Sequence, residues 1–193
     1  MGMPALLPST YWTAKMVRAI PDDLNRYECI DGELLVTPSP GNPHQAVVTE
    51  LLLRLAPYVR EMQLGAYVQV SPLDVELGEG MIVQPDLLAF TVTPASAKGR
   101  IHGPDLLLVV EVLSKRTAKR DRTLKRAFYA RIGVHEYWIV DQAARRVERW
   151  RTGAAAVELE RGNITWHPSG ATRPLVIDLP ALFDSIPEPY RTP

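Results

Sequence analysis

The sequence has a single cysteine, Cys29, among its 193 residues. One cysteine cannot form a disulfide within the chain, and this scarcity is typical of proteins from a reducing compartment. No apolar run approaches the roughly 18 residues of a membrane-spanning helix. The first residues, MGMPALLPSTYWT, have neither the basic start nor the apolar stretch of a secretory signal. We therefore expect a cytoplasmic protein that does not contact a membrane.

The sequence also lacks an excess of either charge, because 22 Lys and Arg residues balance 22 Asp and Glu residues. Any signal for nucleic acid must therefore be local. The four histidines and the cysteine do not have the spacing of a zinc site. The chain contains no Walker loop, no G-x-S-x-G elbow and no Rossmann glycine pattern, which disfavours those chemistries. The length and the 46% hydrophobic fraction suit one globular domain over residues 1–193.

Periodic patterns predict a mixed α/β order of elements. Asp31-Gly32 between two apolar stretches predicts a β-hairpin. Helical spacing of apolar residues predicts an amphipathic helix over 44–62, which Pro57 should kink or shorten. Three strands, a helix that ends at Gly133, a strand with its hairpin partner, and a final strand and short helix then follow. These elements are predicted at 66–77, 81–92, 105–114, 118–132, 135–141, 145–151 and 175–186.

An acidic residue interrupts the most apolar of these strands. Glu111 follows the run Leu106–Val110 and precedes Val112 and Leu113. Such a run is typical of a strand that is covered on both faces. A buried carboxylate is costly unless a partner compensates it, so Glu111 needs a cation nearby.

The helix after this strand offers one partner. Asp121 and Lys125 lie on or beside the face that Leu124 and Phe128 define for packing on the sheet. A short turn folds the helix back over its strand, so Lys125 can project toward Glu111. A purely structural Glu–Lys ion pair, or a lysine that extends to the surface, explains the same pattern. The sequence leaves these alternatives open at this point.

A second candidate partner for Glu111 is a metal ion. The tetrapeptide Pro-Asp-Leu-Leu occurs at 85–88 and at 104–107. Asp105 and Glu111 are six residues apart on one strand, roughly 20 Å at about 3.3 Å per residue, which is too far to share an ion. Asp86 is on another strand and can lie beside Glu111. An Asp, a Glu and a nearby Lys suit Mg²⁺ (or Mn²⁺), which polarises a phosphate and activates water.

Basic residues surround the start and the predicted outer face of the same helix. They are Lys115, Arg116, Lys119, Arg120, Arg122 and Arg126. A surface of this kind can hold the phosphate backbone of DNA. A solvated helix face is the alternative interpretation.

Several motifs occur in a specific order. They are QPD at 84–86, EVLS at 111–114, the series Asp121, Lys125 and Tyr129, and GVHEYWIVD at 133–141. In this order and spacing they resemble the Uma-two family of restriction-endonuclease-like proteins, a branch of the PD-(D/E)XK nuclease superfamily. YECIDGELLVTPSPGNPH and LVIDLPALFD are similar to the two ends of that family. The resemblance therefore covers roughly residues 22–184.

The resemblance implies a restriction-endonuclease-like core, α-β-β-β-α-β, with a mixed sheet and added β-hairpins. It implies Asp86 and Glu111 as metal ligands and catalytic residues, with Lys125 as the third catalytic residue. The usual E-x-K motif would place lysine where this sequence has Leu113, so the lysine has moved to the following helix. Four further residues match family positions and are candidates for supporting roles: Glu28, Glu33, His44 and Asp121.

Three functions compete at this point. The first is a metal-dependent endonuclease that hydrolyses DNA, and the second is an inactive DNA-associated or scaffold protein with the same fold. The third is a dimeric interaction module whose buried charges are structural. The joint presence of Asp86, Glu111 and Lys125 favours the first. The neutral charge and the lack of a DNA-reading motif give no indication of sequence specificity.

Overall fold

The computed structural model describes residues 10–96 and 101–191. The first nine residues, which belong to the stretch inspected for a secretory signal, lie outside the described residues. The helices are α1 (Ala14–Arg18), α2 (Asn42–Glu61), α3 (Ala118–Arg120), α4 (Arg126–Arg131) and α5 (Leu179–Ser185), with a π-helical turn at Asp121–Lys125 between α3 and α4. The strands are β1 (Asn25–Ile30), β2 (Glu33–Pro38), β3 (Ala66–Val70), β4 (Val75–Gly78), β5 (Met81–Val83), β6 (Leu87–Thr91), β7 (Leu106–Val112), β8 (Glu136–Asp141), β9 (Arg146–Arg151), β10 (Glu158–Glu160), β11 (Asn163–Trp166) and β12 (Leu175–Asp178). Short 3₁₀ turns occupy Gly103–Asp105 and Glu188–Tyr190.

The central sheet has six strands in the order β10-β9-β8-β7-β6-β3. Strand β6 pairs antiparallel with both β3 and β7, whereas β7 and β8 are parallel. With α2 before β3 and the α3–α4 segment between β7 and β8, the chain order is α-β-β-β-α-β. The predicted mixed sheet and restriction-endonuclease-like core are therefore confirmed.

Two of the predicted strands are each divided in two. The range 66–77 forms β3 and β4, and the range 81–92 forms β5 and β6. In each case the break falls at a proline, Pro72 or Pro85, whose nitrogen cannot donate a ladder hydrogen bond. The strands β4 and β5 leave the central sheet and join the β1–β2 hairpin in a sheet of order β2-β1-β5-β4. The hairpin itself is confirmed, with positive φ at both Asp31 and Gly32.

Two apolar cores cover the two faces of the central sheet. One core joins α2, α5 and the β11–β12 pair, with Leu55, Trp138 and Trp166 at its centre. The other joins the four-stranded sheet and α4, with Val83 and Phe128 among its buried residues. The sheet edge where β7 ends and β6 begins is consequently enclosed from both sides.

The long helix α2 continues past Pro57 to Glu61. The expectation that Pro57 would end its regular part early is therefore wrong. The carbonyl that loses its hydrogen bond belongs to Leu53, which is exposed, so water can replace the missing donor. No helix in the described ranges combines the length and apolar character needed to cross a bilayer.

Candidate functional site

Four segments place acidic and basic side chains at one edge of the central sheet. Asp86 immediately precedes β6, and Glu111 is the penultimate residue of β7. The register pairs Leu87 with Val110, so Asp86 is one step beyond this pair, in line with Glu111. The β1 strand adds Glu28 from the four-stranded sheet, and the π-helical turn adds its last residue, Lys125.

Glu111 has a buried cation beside it. The Lys125 Nζ atom lies 2.8 Å from Glu111 Oε1 and 2.9 Å from Glu28 Oε1, with all three side chains at 2% exposure or less. Tyr129 donates its hydroxyl to the same Glu111 oxygen at 3.1 Å. The expectation that Lys125 pairs with Glu111 is confirmed. Burial raises the pKa of Glu111 to about 8, and the positive charge of Lys125 offsets only part of this effect.

A π-helical turn directs Lys125 into the interior. It spans Asp121–Lys125, and both of these terminal residues are buried. The amide of Arg126 donates to the Asp121 carbonyl, which also accepts the Tyr137 hydroxyl at 3.2 Å. Burial raises the pKa of Asp121, with Lys125 acting in the opposite direction. Single π-helical turns inside α-helices occur frequently at functional sites.

Asp86 is held by three donors. Arg26 Nη1 lies 2.7 Å from Oδ1, while His44 Nε2 and the Val112 amide lie 2.9 Å and 2.8 Å from Oδ2. The Val112 bond fixes Asp86 against the residue that follows Glu111. Burial alone would raise the pKa of Asp86, but the hydrogen bond from His44 and the charge of Arg26 hold it below its usual value.

An open cleft of about 400 Å³ borders these carboxylates. Asp86 and Glu111 line it together with Arg26 and His44. Its other walls come from the loop before α2, the end of β7 and the start of α3, and they consist of Thr37, Pro38, Ser39, Pro40, Gly41, Pro43, Val112, Leu113, Ser114, Lys115, Arg116, Thr117 and Gln142. The lining does not include Lys125, which lies behind Glu111. In this arrangement Lys125 can position Glu111 but does not face a molecule in the cleft.

A divalent cation fits the donors that remain at this edge. In residues 10–96 and 101–191, no group of three or more His, Cys, Asp or Glu side chains is arranged to hold a metal ion. The acidic ligands available to a cation here are therefore the carboxylates of Asp86 and Glu111. Within the described residues, both recorded hydrogen bonds to Glu111 use Oε1, which leaves Oε2 for a ligand. Mg²⁺ is commonly bound by one or two carboxylates together with waters and substrate phosphate, so the chemistry of this pair suits it.

The remaining acidic candidates lie in three different places in the structure. Glu28 joins the Lys125 cluster and accepts the Gln84 amide at 2.9 Å. Glu33 lies exposed on β2, so its expected supporting role at this site is not supported by its position. Asp105 caps the turn before β7 by accepting the His102 amide at 3.2 Å, as the spacing along the strand predicted.

The predicted basic surface needs correction. Arg122 forms a bidentate contact with Glu148 and also reaches Asp141, while Arg126 stacks on Trp150 at 4.3 Å. These two arginines are engaged by the β8–β9 hairpin over which the helix packs, so they do not form an outward stripe. Arg120 donates to Thr37 beside the cleft. The exposed members are Lys115, Arg116 and Lys119, of which the first two line the cleft.

Arg122→Gln is therefore expected to lower stability rather than weaken DNA binding. The change removes the charge that Glu148 and Asp141 share, at a cost of about 1 kcal/mol for a partly exposed network. Urea unfolding measures this loss, and Lys119→Gln on the same segment serves as the control because Lys119 is exposed. Equal stability of the two variants would contradict the structural role of Arg122.

Sequence reasoning missed Arg26 altogether. The signal was the alternation along β1, where Arg26, Glu28 and Ile30 share one face and Ile30 belongs to a buried core. Two charged residues on an inward face indicate a buried polar site. The π-helical turn left no comparable signal, because its sequence DRTLK has ordinary helical character.

Comparisons with known proteins agree with this fold. A family model, Uma2, described as "Putative restriction endonuclease", matches residues 15–180. The crystal structure of a "putative nuclease belonging to DUF820" from Anabaena variabilis superposes with a TM-score of 0.72 at 20% identity, covering 90% of this chain and 98% of that chain. At this identity the likeness establishes the fold alone. A comparison with curated proteins gives no match. Because the family model spans well over half of the sequence, the chain belongs to the Uma2 family.

Proposed function

We propose that this protein is a metal-dependent endonuclease that hydrolyses phosphodiester bonds in DNA. The observation that carries the proposal is the placement of Asp86, directly before β6, and Glu111, on the neighbouring strand β7, in the lining of one cleft. Membership of the Uma2 family, which is described as "Putative restriction endonuclease", supports it. Mg²⁺ or Mn²⁺ is the proposed cofactor, and DNA is the proposed partner.

Each residue in or directly behind the cleft lining has a distinct proposed role. Asp86 and Glu111 would hold the cation, which when bound neutralises phosphate charge and makes water a better nucleophile. Lys125 and Tyr129 fix the orientation of Glu111 from behind. Arg26 faces the cleft, and its guanidinium group suits a phosphate oxygen. This assigns to Arg26 the contact with substrate charge that the sequence alone suggested for Lys125.

One observation favours the alternative of an inactive DNA-associated or scaffold protein. Both Asp86 oxygens already accept hydrogen bonds, from Arg26 and from His44 and Val112. A cation would have to share Asp86 with these donors. A carboxylate has about four lone-pair sites, and three of them are engaged here, so one position on Oδ1 remains.

Removal and replacement of the cation separates these alternatives. Supercoiled plasmid is incubated with the wild-type protein in Mg²⁺, in Mn²⁺ and in excess EDTA. We expect nicked and linear products with either metal and none with EDTA, and activity should return when Mg²⁺ is restored. Products that persist in EDTA would contradict metal dependence, while intact plasmid under all conditions would favour the inactive alternative.

A further inference from the structure

We infer that the cleft accepts one unpaired nucleotide, so that the preferred substrate is single-stranded or flapped DNA rather than intact duplex. This inference rests on the proposed function and adds the class of substrate to it. Three features of the cleft carry it: the depth of its reactive floor, the character of its walls, and the position of its exposed cations.

The reactive floor is recessed. Asp86 and Glu111 are each only 2% exposed and both line the cleft. A phosphate must therefore enter the cleft before it can reach either carboxylate. The volume of about 400 Å³ lies near the lower end of the range for clefts that enclose one small molecule, about 300–1,000 Å³. This space suits a single nucleotide rather than a double helix.

The walls of the cleft are largely apolar. The loop before α2 contributes Pro38, Pro40 and Pro43, and the end of β7 contributes Val112 and Leu113. Proline rings pack well against aromatic faces, as in the recognition of proline-rich peptides. Among the described residues that line the cleft there is no Phe, Tyr or Trp, so the prolines, with the His44 ring, would provide the surface on which a base packs. An apolar wall cannot bind charged phosphate groups, but it can contact the face of a base.

The exposed cations lie at the β7–α3 side of the same cleft. Lys115 and Arg116 are exposed and belong to its lining. They can bind the phosphates that flank a nucleotide on the floor. A basic rim combined with a surface for base packing is the usual design of single-strand binding sites. In an intact duplex the bases are paired and stacked, so entry would require a nucleotide to leave the helix first.

The test measures binding without chemistry. Three fluorescent DNA ligands of one sequence are compared by anisotropy in EDTA at a fixed salt concentration: a single strand, a blunt duplex, and a duplex with a single-stranded flap. Strands of roughly 12 nucleotides cover the expected site. We expect the single strand and the flap to bind about tenfold or more tightly than the blunt duplex, since base packing adds to phosphate contacts.

A variant that fills the cleft refines the test. Gly41 lines the cleft with φ −82°, and a Cβ built there has its nearest neighbour, Pro43 Cδ, at 3.8 Å. A Cβ is therefore sterically tolerated at this position. Gly41→Leu, which adds bulk to the cleft without an aromatic face, should reduce single-strand affinity about tenfold. Gly162→Leu is the matched control, because a Cβ at Gly162 meets nothing within 4 Å and Gly162 is not in the lining.

The outcomes separate this inference from the proposed function. Equal or tighter binding of the blunt duplex by the wild-type protein overturns the inference, even if plasmid is cleaved. The same is true if Gly41→Leu, shown to be folded by its thermal unfolding, keeps wild-type affinity for the single strand. Preferential single-strand binding without any cleavage of plasmid or flap in Mg²⁺ upholds the inference about the cleft and overturns the nuclease proposal.

Discussion

Lys125→Met is expected to lower the free energy of unfolding by about 3–5 kcal/mol, the usual cost of removing one partner from a buried ion pair. Methionine preserves most of the side-chain volume, so the loss reports charge rather than a cavity. Glu28 and Glu111 would remain buried without the ammonium group that contacts both at 2.8–2.9 Å. Urea unfolding followed by circular dichroism measures the change.

Two comparisons isolate the charge effect. Lys119→Met, at an exposed position of α3, should change stability by less than about 0.5 kcal/mol. Adding Glu28→Gln to Lys125→Met removes one of the two buried carboxylates that have lost their lysine partner. The double variant should therefore recover part of the lost stability. If Lys125→Met unfolds at the same urea concentration as the wild-type protein, the buried cluster does not contribute as its geometry indicates.

Asp86→Asn is expected to abolish cation binding and to reduce DNA cleavage by about a hundredfold or more, the scale of losing one well-placed charged group at a reactive centre. The amide keeps the shape of the carboxylate but not its charge. It also leaves Arg26, only 10% exposed, without the anion it contacts at 2.7 Å. Calorimetric titration with Mn²⁺ measures the binding, and plasmid nicking measures the cleavage.

The second Pro-Asp-Leu-Leu segment supplies a matched control. Asp105→Asn makes the same substitution at a residue that caps a turn. Asparagine can still accept the His102 amide, so the variant should lose less than about 0.5 kcal/mol of stability and keep Mn²⁺ binding intact. Wild-type Mn²⁺ affinity in Asp86→Asn would exclude Asp86 as a ligand. Loss of binding in Asp105→Asn alone would mean that the wrong aspartate has been assigned.

The core of the site could be predicted because strong periodic patterns carry it. The apolar run around Glu111 defines a buried strand, and the helical spacing of Leu124 and Phe128 places Lys125 toward that strand. The structure has both features, with the Lys125–Glu111 contact at 2.8 Å. These residues depend on local geometry, which periods of two and 3.6 residues describe well.

The parts that were missed depend on tertiary structure. Arg26 reaches Asp86 only because the four-stranded sheet packs against the central sheet, and no local pattern in β1 specifies that contact. The engagement of Arg122 by Glu148 likewise depends on where the β8–β9 hairpin lies under the helix. The ranges 66–77 and 81–92 were each predicted as one strand, because neither their division at Pro72 and Pro85 nor the sheet that each half joins follows from local alternation.

Nicking of supercoiled plasmid by wild-type protein and by Glu111→Gln, in Mg²⁺ and at equal concentration of folded protein, tests the central claim most directly. Glutamine keeps the volume of Glu111 and can still accept from Lys125 and Tyr129 through its carbonyl oxygen, so the fold should persist. We expect Mg²⁺-dependent nicking by the wild-type protein and by Asp105→Asn, and a loss of about a hundredfold or more in Glu111→Gln. Equal nicking by wild type and Glu111→Gln would show that any cleavage comes from elsewhere and would contradict the assignment of this cleft as the nuclease centre.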